Sequence, residues 1–116
     1  MVHVLGIADP KSINALVPLG YDTFDSAYAT RVGRHGMLLG NDGTTIKLSS
    51  TKYKNVFASP VEGCGCYTCC NHTLAYLHHL KKAHEPGLSV LASTHNIFHM
   101  NRLMKKWRED ILNDVV

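Results

Sequence analysis

Four cysteines fall within one short stretch, at Cys64, Cys66, Cys69 and Cys70, and no other feature of the 116-residue chain limits its folding choices as tightly. They lie too close together to staple distant parts of a chain by disulfides. The start, MVHVLGIADPK, has no basic region ahead of an apolar run and reads as lacking an export signal. In that setting clustered cysteines point to a metal. Cys64, Cys66 and Cys69 form C-x-C-x-x-C, and three thiolates so spaced can converge on one zinc ion at the ~2.3 Å Zn–S distance. Gly63 and Gly65 suit the knuckle, where the backbone often needs positive φ. A closed zinc site takes four ligands. Spacing leaves the fourth open among Cys70, His72, His78, His79, His84 and His95.

Composition excludes other classes. With 45% hydrophobic and 18% charged residues the chain is not a disordered one. No apolar run approaches the ~18 residues of a membrane span. A cytoplasmic protein with no membrane contact is the expectation. Twelve Lys and Arg against nine Asp and Glu give a formal charge of +3, which permits an RNA or phosphate partner without requiring one.

Along the chain, Val2-His3-Val4-Leu5-Gly6-Ile7 reads as a short strand buried on both faces. Asp9 then serves as a helix N-cap with Pro10 at the first helical position. Ile13, Leu16 and Val17 share one face of that helix, and Gly20 stops it. Tyr21 to Asp25 is a second strand. Strand, helix and strand make a βαβ unit with parallel pairing. Met37 to Leu39 and Thr44 to Leu48 flank Asn41-Asp42-Gly43 as a hairpin. A helix is expected over Thr73–Ala83, with Leu74, Leu77 and Leu80 on one face. Glu85-Pro86-Gly87 breaks it, and a longer helix runs on from Leu88. The stripe of Ile97, Met100, Met104, Trp107 and Ile111 along that helix reads as core packing. The class is α/β.

Asp25 sits where the second strand meets its loop. It is either a turn or cap residue, or a carboxylate of the kind that α/β barrels carry at strand C-termini. Asp22, at the strand's start, reads as an entry-turn residue. Thr30 to Gly36 reads as a basic loop, either solvated or phosphate-binding.

Taken in order, these segments resemble the tRNA-guanine transglycosylases, the queuine tRNA-ribosyltransferase family. The matching motifs are Leu5-Gly6-Ile7-Ala8; Gly20-Tyr21-Asp22-Thr23-Phe24-Asp25; Ala29-Thr30-Arg31-Val32-Gly33-Arg34-His35-Gly36; C-x-C-x-x-C; Thr73 to Leu80; and His95-Asn96. Ser26, Ala29, His35, Leu74 and Asp9 depart from the residues the family usually has at those positions.

The resemblance implies the C-terminal part of a (β/α)₈ barrel with an inserted zinc-binding subdomain. Residues 1–30 would be the last two barrel strands and their helix, 31–96 the zinc subdomain, and 97–116 the closing helix. It implies exchange of the wobble guanine of tRNA for queuine or a 7-deazaguanine precursor, with Asp25 as the nucleophile that forms a covalent ribosyl ester. It selects His95 as fourth ligand of one structural Zn²⁺, beside Cys64, Cys66 and Cys69. RNA contact would fall to Gly6, Ile7, Ala8, Asp9, Pro10, Lys11 and Ser12 and to Thr30, Arg31, Val32, Gly33 and Arg34. The implied partners are the tRNA anticodon loop, the guanine or 7-deazaguanine base, and either a second copy or a complementing barrel chain. A whole barrel takes about 250 residues, so this chain alone is expected to be inactive, with its general acid/base supplied from outside. A different class of function, a non-catalytic zinc-containing accessory or decayed RNA-binding fragment, is the alternative.

Overall fold

The computed structural model describes residues 1–114. Positions 115–116 of the expected closing segment lie outside the described residues. Strand β1 (His3–Val4) leads through helix α1 (Pro10–Leu16) to strand β2 (Thr23–Phe24), and the two strands pair in parallel with His3 opposite Thr23 and Val4 opposite Phe24. Asp9 caps α1 by accepting the Ser12 amide at 3.0 Å, and Pro10 occupies the first turn, where no amide is missed. Ile13 and Val17 carry the buried face of this unit. The βαβ reading therefore holds, but β1 is shorter than its apolar run and is not buried on both faces. Leu5 is 77% exposed, because among the described residues no further strand or helix covers that side.

Helix α2 (Tyr28–Arg34) follows. This replaces the basic loop expected over 30–36. The two glycines suggested a loop, yet Gly33 lies inside the helix and is buried against α5 (Gly87–Leu112). A Cβ at Gly33 would come within 2.8 Å of Ser93 Oγ and 3.0 Å of Ser93 N, so the close approach of the two helices needs the missing side chain.

Strands β3 (Met37–Leu39) and β4 (Thr45–Lys47) form the expected antiparallel hairpin across an Asn41–Gly43 turn. Short helix α3 (Tyr67–Asn71) carries part of the cysteine motif, and α4 (Leu74–Lys82) is capped by Thr73, which accepts the Tyr76 amide at 3.1 Å. The main core gathers Leu38, Leu48, Leu74, Leu77, Leu88 and Ala92 from the hairpin, α4 and the first turns of α5. Each fully buried leucine there is worth ~1.5–3 kcal/mol of transfer free energy.

The apolar stripe of α5 behaves otherwise than expected. Ile97 is 46% and Ile111 55% exposed, while Met100, Met104 and Trp107 are half-buried. The stripe faces the small βαβ unit, which is too narrow to cover it. Trp107 still ties the two together, its Nε1–H donating to Asn14 Oδ1 on α1 at 2.8 Å. Among the described residues no helix is long and apolar enough to cross a membrane.

Candidate metal centre and strand-end carboxylate

The cysteine loop is held by its own backbone. Gly63 adopts φ +78°, which a glycine tolerates without steric cost, whereas Gly65 needs no positive φ. The Cys64 amide donates to the Val61 carbonyl at 3.2 Å, the Cys70 amide to the Cys66 carbonyl at 3.0 Å, and the Cys69 amide to Cys66 Sγ at 3.3 Å. From α5, Arg102 donates to the Gly63 carbonyl at 3.1 Å. Thr68 Oγ1 on α3 donates to the Leu91 carbonyl at 2.7 Å, which locks α3 against α5.

Those contacts bring the three thiols onto one histidine. His95 Nδ1 lies 3.6 Å from Cys64 Sγ and 3.3 Å from both Cys66 Sγ and Cys69 Sγ. All four residues are buried, and their ligand atoms lie within 4.8 Å of one another, so the group could hold a metal ion. The other ring nitrogen settles the tautomer. His95 Nε2 is 2.7 Å from the Leu39 carbonyl oxygen, which can only accept, so Nε2 carries the hydrogen and Nδ1 presents its lone pair to the sulfurs. Burial pushes the His95 pKa down, partly opposed by the Leu39 carbonyl, and this favours the neutral ligating ring. Burial likewise pushes the Cys66 and Cys69 thiols up, so a cation entering the site must displace their protons.

The other five candidates for the fourth position lie elsewhere. Cys70, His79 and His84 are exposed, His72 stacks on Tyr76 with ring centroids 5.0 Å apart, and His78 Nδ1 bonds the Leu48 carbonyl at 2.7 Å. The residue after His95 braces the same strand. Asn96, fully buried, accepts the Leu39 amide at 2.9 Å and donates to the carbonyls of Ala29 and Met37 at 3.0 Å each. His95 and Asn96 together clamp both polar groups of Leu39, one to each residue. No spacing rule flags this bracket; it arises because β3 runs past α5.

The second cluster surrounds Asp25. β2 ends at Phe24, and the Asp25 carboxylate accepts the Gly6 amide at Oδ1, 2.9 Å, and the His3 ring at Oδ2, 2.7 Å. The Gly6 hydrogen bond, then His3, hold its pKa below the usual aspartate value. Asp25 is thus an anion with a half-exposed side chain, beside a cleft of about 340 Å³ lined by Ala8, Ile13, Phe24, Ile97 and Met104 among others. Asp22 instead takes the Val2 amide at 2.7 Å. His3 went unnoticed in the sequence. The usable signal was strand register, since His3, Thr23 and Asp25 fall on one face of a parallel pair.

The residues expected to meet RNA divide by burial. Ile7, Lys11, Arg31 and Arg34 are exposed, whereas Pro10, Val32 and Gly33 are buried and serve packing of α1 and α2. Asp9 is used as the α1 cap.

A βαβ unit with a carboxylate at its second strand end, joined to a mixed helix–strand domain holding a Cys₃His cluster, defines the class. Comparison with known proteins is consistent with it. The family model described as queuine tRNA-ribosyltransferase matches residues 1–116. Proteins named queuine tRNA-ribosyltransferase from Chlamydia caviae and Protochlamydia amoebophila are 47% and 46% identical over 99% and 98% of this chain. The chain belongs to the queuine tRNA-ribosyltransferase family. It spans 31% and 29% of the length of those two relatives, within their C-terminal part.

Proposed function

We propose that this chain is the nucleophile-bearing and metal-bearing portion of a tRNA-guanine transglycosylase, acting in the cytoplasm on the anticodon loop of tRNA. The ionised Asp25 at the end of β2, fixed from two sides, is the observation that carries the reading. A carboxylate oxygen attacks the ribose anomeric carbon of the wobble nucleotide. The glycosidic C–N bond breaks, and guanine leaves with the electron pair and takes a proton from a donor outside residues 1–116. A ring nitrogen of queuine or a 7-deazaguanine precursor then attacks the same carbon, and the ester C–O bond breaks to return the Asp25 carboxylate. The nitrogen's proton passes to a base outside residues 1–116. The logic is that of a retaining glycosidase, in which a carboxylate splits one displacement into two through an oxocarbenium-like transition state.

In this reading residues 1–30 are the last two strands of a (β/α)₈ barrel with their helix, 31–96 a zinc subdomain and 97–116 the closing helix. The incompletely covered faces of β1, β2 and α5 support it, since a barrel would bury them. Three thiolates and one imidazole are the donor set that Zn²⁺ prefers in closed structural sites. Zinc there, held by Cys64, Cys66, Cys69 and His95, would contribute folding energy and hold α3 and the cysteine loop to α5. The exposed residues of the segments Gly6–Ser12 and Thr30–Arg34 would face the RNA, with the guanidinium groups of Arg31 and Arg34 available to phosphates. A second copy or a barrel chain is the proposed protein partner.

The test grafts residues 1–116 in place of the matching segment of the Chlamydia caviae relative. With a guanine-wobble anticodon stem–loop, the parent chimera should form a covalent RNA adduct that survives denaturing electrophoresis, and Asp25→Asn should form none. An adduct of parental yield in Asp25→Asn overturns the reading and transfers the role to another carboxylate, Asp22 first.

A further inference from the structure

Asp25 is not held by the backbone alone. We propose that His3 is a positioning residue for Asp25, forming with Thr23 a carboxylate–imidazole–hydroxyl chain that locks the Asp25 side chain in one orientation for attack. The inference rests on Asp25 being the nucleophile, and its test separates the two.

Register builds the chain. The parallel pairing sets His3 opposite Thr23, and Asp25 lies two residues beyond Thr23, so all three side chains stand on one face of the β1–β2 pair. His3 Nε2 is 2.7 Å from Asp25 Oδ2, and His3 Nδ1 is 2.7 Å from Thr23 Oγ1. An ionised carboxylate only accepts, so Nε2 carries a hydrogen. In the neutral ring Nδ1 is then an acceptor, and the Thr23 hydroxyl donates to it. That hydroxyl selects the tautomer that faces Asp25.

Gly6 N–H takes the other oxygen at 2.9 Å. Gly6 sits at φ +73°, a left-handed conformation that any larger residue would adopt only with strain. Two donors from different directions leave the carboxylate little rotational freedom while each oxygen keeps a free lone pair. Asp25 is 56% and His3 41% exposed at the side chain, so the arrangement is not enforced by packing. Without His3 the carboxylate can turn about its Cβ–Cγ bond, and misplacement of about 1 Å costs on the order of 100-fold in rate.

Two measurements decide it. In the grafted chimera, single-turnover adduct formation with the anticodon stem–loop should fall ~10- to 100-fold at saturating RNA in His3→Leu, with the half-saturating RNA concentration unchanged. His3→Gln, which offers an N–H at similar reach, should recover most of the rate. A His3→Leu rate equal to the parent, alongside no adduct in Asp25→Asn, overturns the positioning role and leaves the nucleophile reading intact. Persistence of the adduct in Asp25→Asn overturns the nucleophile reading instead. Independently of any turnover, nitrogen-15 spectra of the metal-loaded 116-residue chain should show the His3 ring in its Nε2–H form, and the Asp25 carboxyl should titrate higher in His3→Leu. A ring populating both tautomers as free histidine does, or an unmoved Asp25 titration, overturns the contact itself.

Discussion

At the scale of single residues, the two side chains proposed to carry the chemistry are each specified by their partners. His95 turns Nδ1 toward the three sulfurs because the Leu39 carbonyl holds Nε2. Replacing His95 with Ala removes the fourth donor and empties a fully buried position between α5 and β3. Bound zinc, near one equivalent in the parent by elemental analysis, should fall well below that in His95→Ala and stay at the parental level in His72→Ala and Cys70→Ala. Asp25 gives a pH expectation. Its folded pKa lies below the ordinary aspartate value through the Gly6 and His3 hydrogen bonds. Depressed acids stabilise the fold above their unfolded pKa, and the contribution disappears as pH falls through the folded value. The β1–β2 contact should therefore be complete at neutral pH and be lost only below the ordinary aspartate range, which carboxyl carbon-13 titration of Asp25 would follow directly.

At the scale of elements, the joint between α2 and α5 is the most exacting contact. Gly33 lets the Ser93 backbone approach to distances that a Cβ forbids. Helix propensity favours Ala over Gly by about 1 kcal/mol, but overpacking against backbone costs ~1–3 kcal/mol. The backbone contact cannot be relieved by a rotamer change, so overpacking wins. Gly33→Ala should destabilise the chain by about 1–2 kcal/mol in urea unfolding with little change in m value. The same joint explains why a segment that looks like a loop is a helix. Glycine is read as a breaker from sequence, and here it is a spacer for two crossing helices.

At the scale of the whole molecule, one part has its own core and the other borrows one. The hairpin, α3, α4 and the start of α5 surround both the leucine core and the Cys₃His cluster. Structural zinc contributes folding free energy on the order of 10 kcal/mol in small peptides. Chelation should thus collapse amide exchange protection across residues 31–96 rather than at the cysteine loop alone, and a protected hairpin after metal removal would show that the leucine core suffices. Among the described residues the β1–β2 pair, with Leu5 and Ile97 open to solvent, has apolar surface and strand edges without partners. The isolated chain should therefore self-associate at micromolar concentration, as light scattering would register.

Local chemistry made much of this legible in the residues themselves. The Asp9-Pro10 start, the Asn41–Gly43 turn, the Thr73 cap and the βαβ order depend on neighbours within a few positions, and so does the C-x-C-x-x-C knuckle. Motif order carried the family, because it is a property of the chain and not of its shape. Spacing left six candidates for the fourth ligand, and even with the family pointing to His95, the side of its ring that faces the sulfurs depends on a carbonyl 56 positions away. The Asn96 bracket, the Gly33–Ser93 approach and the His3–Asp25 contact belong to the same group. Each joins residues from different elements, and a distance of 3 Å between such residues depends on register and crossing geometry, which no local pattern encodes. The stripe of α5 marks the boundary most plainly: its periodicity says that it will be covered, and only the tertiary structure shows that the described residues leave Ile97 and Ile111 open.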